Sequence, residues 1–210
     1  MRNFKKSAFT LSEVLITLGI IGVIAAITLP TLIQKQQKKQ TAVKLQKFYN
    51  IMNSALTRYY ADEGIMPENF SFNDETIHNA RKYKEWFENT IGKYIVYTKI
   101  TTTGSVDITV LLSDGSGFSS YVANANIAHF MYCTQYKYCS VDSFDGKHTF
   151  LFNIDKGKFR PLGASHISRN TFKQYCQNPS MYGGSNTKRH YCSALIEMDG
   201  WEIKDDYPAW

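Results

Sequence analysis

Residues 9–33 read FTLSEVLITLGIIGVIAAITLPTLI, 25 residues with a single charge, Glu13. A helix rises about 1.5 Å per residue, so roughly 20 apolar residues cross a hydrocarbon core of about 30 Å. Residues 14–29 are apolar apart from Thr17, Thr28 and the two glycines Gly19 and Gly22. A plain membrane anchor is one reading. A secretory signal peptide is another, with Val23-Ile24-Ala25 as a small-residue cleavage site. Glu13 is out of place in both. An acidic side chain deep in a membrane helix costs roughly 2.5–3.5 kcal/mol on insertion scales, and such a residue ordinarily has a partner.

Charge flanks the stretch on both sides. Arg2, Lys5 and Lys6 precede it, with no acid among the first eight residues; Lys35, Lys38 and Lys39 follow it. Charge alone therefore leaves the orientation in the membrane undecided. The 210-residue chain has 24 Lys plus Arg against 18 Asp plus Glu, a formal net charge of +6. Removing the first eight residues lowers this to +3, too mild by itself to imply nucleic-acid binding. Hydrophobic residues make up 43% and charged residues 20%, which excludes a largely disordered chain. The length allows one or two domains.

A short basic leader, then Ala8-Phe9-Thr10-Leu11-Ser12-Glu13, then an apolar run, resembles the class III signal of type IV pilins and type II secretion pseudopilins. The resemblance implies that a prepilin peptidase cuts between Ala8 and Phe9 and methylates the new amine of Phe9. Glu13 then stands fifth in the mature chain, where the family places its glutamate. Pro30 stands twenty-second, where many members have a helix-kinking proline. Ala8 departs from the glycine the family usually has before the cut. In the family, the glutamate of one subunit pairs with the terminal amine of a neighbour, which implies an assembly role for Glu13. In low dielectric an unpaired carboxylate is costly and a paired one much less so. Gly19 and Gly22 would let neighbouring helices approach closely.

Apolar or aromatic positions continue at Ala42, Leu45, Tyr49, Met52, Leu56 and Tyr59, in alternating steps of three and four that trace one helical face. No proline interrupts residues 31–61. The expected element is one helix over 9–61, bent near Pro30 and about 80 Å long. Its first half would lie in the membrane or filament core, and its second half would bury the stripe on a globular head. Gly64 and Pro67 would end it. The expected organisation is a leader over 1–8, a transmembrane or filament-core helix over 9–33, its amphipathic continuation over 34–61 and a head over 62–210. Lys35, Lys38 and Lys39 read as a solvated face just outside the membrane. Lipid headgroups or DNA phosphates are the other contacts open to them.

A second helix is expected over 71–92, capped by Asn73 or Asp74, with Ile77, Tyr83, Phe87 and Ile91 roughly on one face. Residues 94–103, 106–112, 118–123 and 149–154 are rich in β-branched and aromatic residues and read as strands. The fold class is thus α+β: a long N-terminal helix on an antiparallel sheet of three to five strands, similar to the pilin lollipop. Residues 192–210 also resemble a subset of pilin-like proteins in which a short helix leads to a Gly-Trp turn and an aromatic end. Trp201, Tyr207 and Trp210 read there as packing residues.

Four cysteines fit two disulfides in an exported protein and allow three connectivities. Cys133 and Cys139 are six apart, Cys176 and Cys192 sixteen apart, and local pairing is the favoured reading. A 16-residue loop so closed is worth roughly 3 kcal/mol in the chain-entropy model. The pilin resemblance implies a C-terminal disulfide loop at Cys176–Cys192. Zinc is disfavoured, since no C-x₂-C pair exists. Pseudopilins of the major class hold calcium in a C-terminal loop, but Asp142, Asp145 and Asp155 match no defensible calcium spacing. No metal or other cofactor is expected.

Enzyme motifs are missing: no G-x-x-x-x-G-K-[ST], no H-E-x-x-H and no G-x-S-x-G. His78, His129, His148, His166 and His190 are scattered without ligand spacing, and His190 beside Cys192 reads as a surface histidine near a structural cysteine. The leading expectation is a structural subunit of a type IV pilus or type II secretion pseudopilus. It would be processed by prepilin peptidase at the inner membrane, held in lipid before assembly, and passed by the assembly platform into a homo- or hetero-polymer. Its head would be exported, to the cell surface or the periplasm. A minor pilin that binds DNA or a surface ligand is the alternative, with Lys188-Arg189-His190 as the candidate contact. A membrane-anchored exported enzyme comes third.

Overall fold

The computed structural model describes residues 10–139, 145–163, 167–178 and 189–210. Two compact units divide at Met1–Lys39 and Gln40–Trp210, and helix α1 (Leu11–Glu63) contributes to both.

In the first unit the large apolar side chains from Leu11 to Ile33 are exposed. The helix is long and apolar enough to cross a membrane. It continues through Pro30, which withdraws one backbone donor from the ladder. The two threonines of the apolar run satisfy their hydroxyls locally: Thr17 donates to the Val14 carbonyl and Thr28 to that of Ile24, each at 2.9 Å.

In the second unit α1 buries the expected stripe of Ala42, Leu45, Met52, Leu56 and Tyr59, together with Phe48, Ala55 and Tyr60. Tyr49 is only half-buried, because Phe48 takes the central place. The helix ends two residues later than expected. Gly64 takes φ +66, and the Ile65 N–H reaches back to the Tyr60 carbonyl at 3.0 Å, a glycine-terminated C-cap.

The helix expected over 71–92 is broken. Asn73 caps a single turn, Asp74–Thr76, and His78 then takes φ 50. Asn79 starts a new helix, α2 (Ala80–Asn89), its side-chain oxygen accepting from the Lys82 N–H at 3.2 Å. Two asparagine caps six residues apart define two starts, so one continuous helix does not form.

Six antiparallel strands follow, β1 (Tyr97–Thr103), β2 (Asp107–Leu112), β3 (Gly117–Asn124), β4 (Ile127–Cys133), β5 (Thr149–Asp155) and β6 (Lys158–Pro161). Each lies beside its successor. The sheet has one strand more than the upper end of the expected three to five, and β4 and β6 are the two strands outside the four stretches read as strands. Phe118, Phe130, Tyr132, Phe150, Phe152 and Phe159 are all buried, and Phe48 of α1 packs among them. Its ring stacks on Tyr132 at 4.5 Å and lies 5.4–5.5 Å from Phe118, Phe152 and Phe159. Aromatic pairs at this range add about 0.5–1.5 kcal/mol each beyond their buried area.

Two short helices complete the unit. Ser168 caps α3 (Arg169–Gln177), and α4 (Cys192–Met198) packs on α3, β5 and β6. Disulfides join Cys133 to Cys139, with Cα atoms 5.2 Å apart, and Cys176 to Cys192, 4.8 Å apart.

Candidate functional site

Ala8 and Phe9, the expected processing residues, lie outside the described residues. The described residues begin at Thr10, the residue before α1. Thr10 donates to Glu13 Oε2 through its backbone N–H at 2.8 Å and its hydroxyl at 2.9 Å. In return the Glu13 N–H donates to Thr10 Oγ1 at 3.2 Å. This is a reciprocal capping box, in which the first and fourth residues satisfy each other's orphan donors. Glu13 is therefore not a bare charge in the single chain. Thr10 was not among the residues expected to matter, although Thr-x-x-Glu ahead of an apolar run is the sequence signature of the box.

Gly19 and Gly22 lie on an open surface, with nothing within 4 Å of where a side chain would begin. Pro30 lies inside the same helix. The structure thus sets Glu13, the glycines and Pro30 along one exposed apolar helix.

At the other end of the chain, Arg169 opens α3 and forks onto two carboxylates. Its Nε and Nη2 donate to Asp199 at 2.6 and 2.8 Å; Nη1 and Nη2 donate to Asp206 at 2.9 and 2.8 Å. Lys204 adds a contact to Asp199 at 2.9 Å and Lys173 one to Asp206 at 2.9 Å. The Asp199 side chain is 3% exposed. Burial raises its pKa, but Arg169 and Lys204 outweigh that and hold it below the usual carboxylate range. Bonds from Arg169 and Lys173 depress Asp206 further.

The Gly-Trp turn closes α4. Gly200 takes φ 73 and Trp201 φ 62, and the Trp201 N–H donates to the Ile196 carbonyl at 2.9 Å. Tyr207 is buried and donates to the Gly146 carbonyl at 2.6 Å, which anchors the end of the chain beside the Cys176–Cys192 bond. Trp201 packs on Tyr49 with ring centroids 5.0 Å apart, and Lys147 lies over the Trp210 ring at 5.3 Å. All three aromatics make packing contacts.

The remaining candidates are not brought together. Asp145 Oδ1 accepts from the backbone N–H groups of Lys147, His148 and Thr149, and Asp155 pairs with Arg160. Asp142 lies outside the described residues. Among the described residues no group of three or more His, Cys, Asp or Glu side chains is arranged to hold a metal ion. Cys192 is disulfide-bonded, so it forms no thiolate with His190. Arg189 turns its guanidinium onto the carbonyls of Cys176 and Gln177, while Lys188 and His166 lie outside the described residues.

Residues 31–210 match the model of a family described as a family of unknown function, DUF6613. The chain belongs to the DUF6613 family. Residues 3–29 of this DUF6613 chain match a second model, the prokaryotic N-terminal methylation motif, which is the type IV pilin and pseudopilin signal. That motif spans Ala8, Phe9 and Glu13 and stops one residue short of Pro30. No curated protein and no solved structure matches the DUF6613 chain.

Proposed function

We propose that the DUF6613 chain is a pilin-like structural subunit. It is cut between Ala8 and Phe9 by a prepilin peptidase, methylated on the new amine, and polymerised into a type IV pilus or a type II secretion pseudopilus. The observation that carries this reading is the methylation motif at the start of an exposed apolar run, residues 9–33, whose one acid is Glu13. Before assembly the helix rests in lipid, and the capping box with Thr10 keeps the Glu13 carboxylate hydrogen-bonded there. Docking brings the cationic Phe9 amine of a neighbouring subunit to that carboxylate. A charge pair in low dielectric then replaces two hydrogen bonds from within the chain. The process is assembly and requires no catalytic group on this chain.

Intact mass and N-terminal sequencing of the membrane-extracted protein, with and without a co-expressed prepilin peptidase, test the reading. The expected product begins at Phe9 and is one methyl group heavier, only when the peptidase is present. A product beginning near Ala26 would mean ordinary signal-peptide removal and would end the pilin reading.

A further inference from the structure

An open cleft of ≈ 530 Å³ lies in the second unit between α1, β6, α3 and α4. That volume is in the range of small-ligand sites. Tyr49 and Asn53 reach it from α1, Arg160 from β6, and Glu197 and Met198 from α4. None of these belongs to the Arg169 network, to either disulfide or to the exposed apolar segment at the start of α1.

Hydrogen-bonding capacity is left over here. Among the described residues nothing donates to the Glu197 carboxylate, and the Tyr49 hydroxyl has no hydrogen-bond partner. Asn53 uses one amide N–H on the Tyr49 carbonyl at 3.0 Å and leaves its side-chain oxygen open. Arg160 uses one nitrogen on Asp155 and retains further donors. Burial raises the pKa of Glu197 in spite of the nearby Arg160, as expected of a half-buried carboxylate without a bonded partner. Trp201, in the turn that closes α4, packs its indole on the Tyr49 ring with centroids 5.0 Å apart and so fixes the position of that ring.

Charge selects the ligand class. Arg160 and the neighbouring Lys158 oppose a cation, whereas Glu197 opposes an anion. A neutral molecule carrying both donors and acceptors satisfies every group. We propose that this cleft binds a neutral saccharide, its hydroxyls bonded to Glu197, Asn53, Tyr49 and Arg160 and its apolar face against Met198 and the Tyr49 ring. The proposal does not rest on polymerisation, since an unprocessed subunit would bind the same sugar.

Saturation-transfer NMR on the detergent-solubilised full chain tests it. The probes are glucose, galactose, N-acetylglucosamine and their disaccharides, with glucose 6-phosphate, lysine and glycine as charged and zwitterionic comparisons. The expected result is transfer to a neutral saccharide, weakened about tenfold by Glu197→Gln and by Asn53→Ala. Tyr49→Phe serves as a third variant should either fail to fold. No transfer to any neutral saccharide would overturn the proposal. So would stronger binding of glucose 6-phosphate, lysine or glycine, or unchanged sugar binding in every folded variant.

Discussion

Glu13 illustrates what a single residue discloses and what it conceals. Its position in an apolar run marked it as needing a partner, and the pilin resemblance supplied one in a neighbouring subunit. The structure supplies another in Thr10, three residues away. The Thr-x-x-Glu spacing is legible in the sequence, but a lone acid in an apolar run fits a charge awaiting an outside partner as well as it fits a local cap. Two substitutions separate the roles. Glu13→Gln keeps a side-chain acceptor for the Thr10 N–H but removes the charge. It is expected to leave processing and head folding intact while abolishing incorporation into filaments, read by cross-linking of sheared fibres. Thr10→Ala is expected to weaken the helix start by about 1 kcal/mol, read as faster hydrogen exchange at the N–H groups of Ser12 and Glu13. At Gly146, φ is +76 and an added Cβ would come within 2.6 Å of Cys192 Sγ. Gly146→Ala is therefore expected to lower head stability by about 1–3 kcal/mol in a denaturant titration.

Elements were legible where periodicity was clear. The long helix and four of the strands follow from alternating steps of three and four and from β-branched runs. β4 escaped because Ile127-Ala128-His129-Phe130-Met131-Tyr132-Cys133 is buried on much of both faces, so no alternation remains to be read. β6 escaped because four residues ending in proline are too few to carry a pattern. The stretch 71–92 reads as one helix because its apolar positions keep a helical spacing, while Asn79 stops and restarts the backbone behind the turn that Asn73 caps. At this scale the two disulfides differ in consequence. By the chain-entropy model the 16-residue loop of Cys176–Cys192 contributes about 3 kcal/mol and the six-residue loop of Cys133–Cys139 about 2 kcal/mol. The C-terminal bond also ties α3 to α4. Cys176→Ala/Cys192→Ala is expected to lower the melting temperature more than Cys133→Ala/Cys139→Ala, by calorimetry under non-reducing conditions.

For the whole molecule, the charge network was the part least legible in sequence. Arg169, Asp199 and Asp206 are up to 37 residues apart, and they meet where α3 packs on α4 and the segment after α4 returns to Arg169. It makes stability depend on acid. Asp199 and Asp206 have depressed pKa values in the folded state, and so does Asp145. Asp114 joins them: burial opposes its ionisation, yet Lys47 and Ser116 bring it down to about 2. Groups depressed on folding add stability above their unfolded pKa, near 4 for aspartate, and lose it as pH falls through the folded value. The melting temperature is therefore expected to hold down to about pH 4 and to drop steeply between about pH 4 and pH 2. Arg169→Ala leaves the nearly buried Asp199 with Lys204 alone. It is expected to lower the melting temperature at neutral pH and to flatten the acid limb, both read from melts across the pH series.

The sheet order has a consequence for how the chain folds. With every strand beside its successor, pairing needs only short loops, and hairpins can close in turn as the polypeptide is made. The final clamp cannot form that way. Cys192, Asp199, Asp206 and Tyr207 all belong to the last nineteen residues, and their partners wait in segments made much earlier. Closure of the Cys176–Cys192 bond thus comes after all six strands have been made, so the disulfide locks a sheet that is already in place rather than guiding its formation.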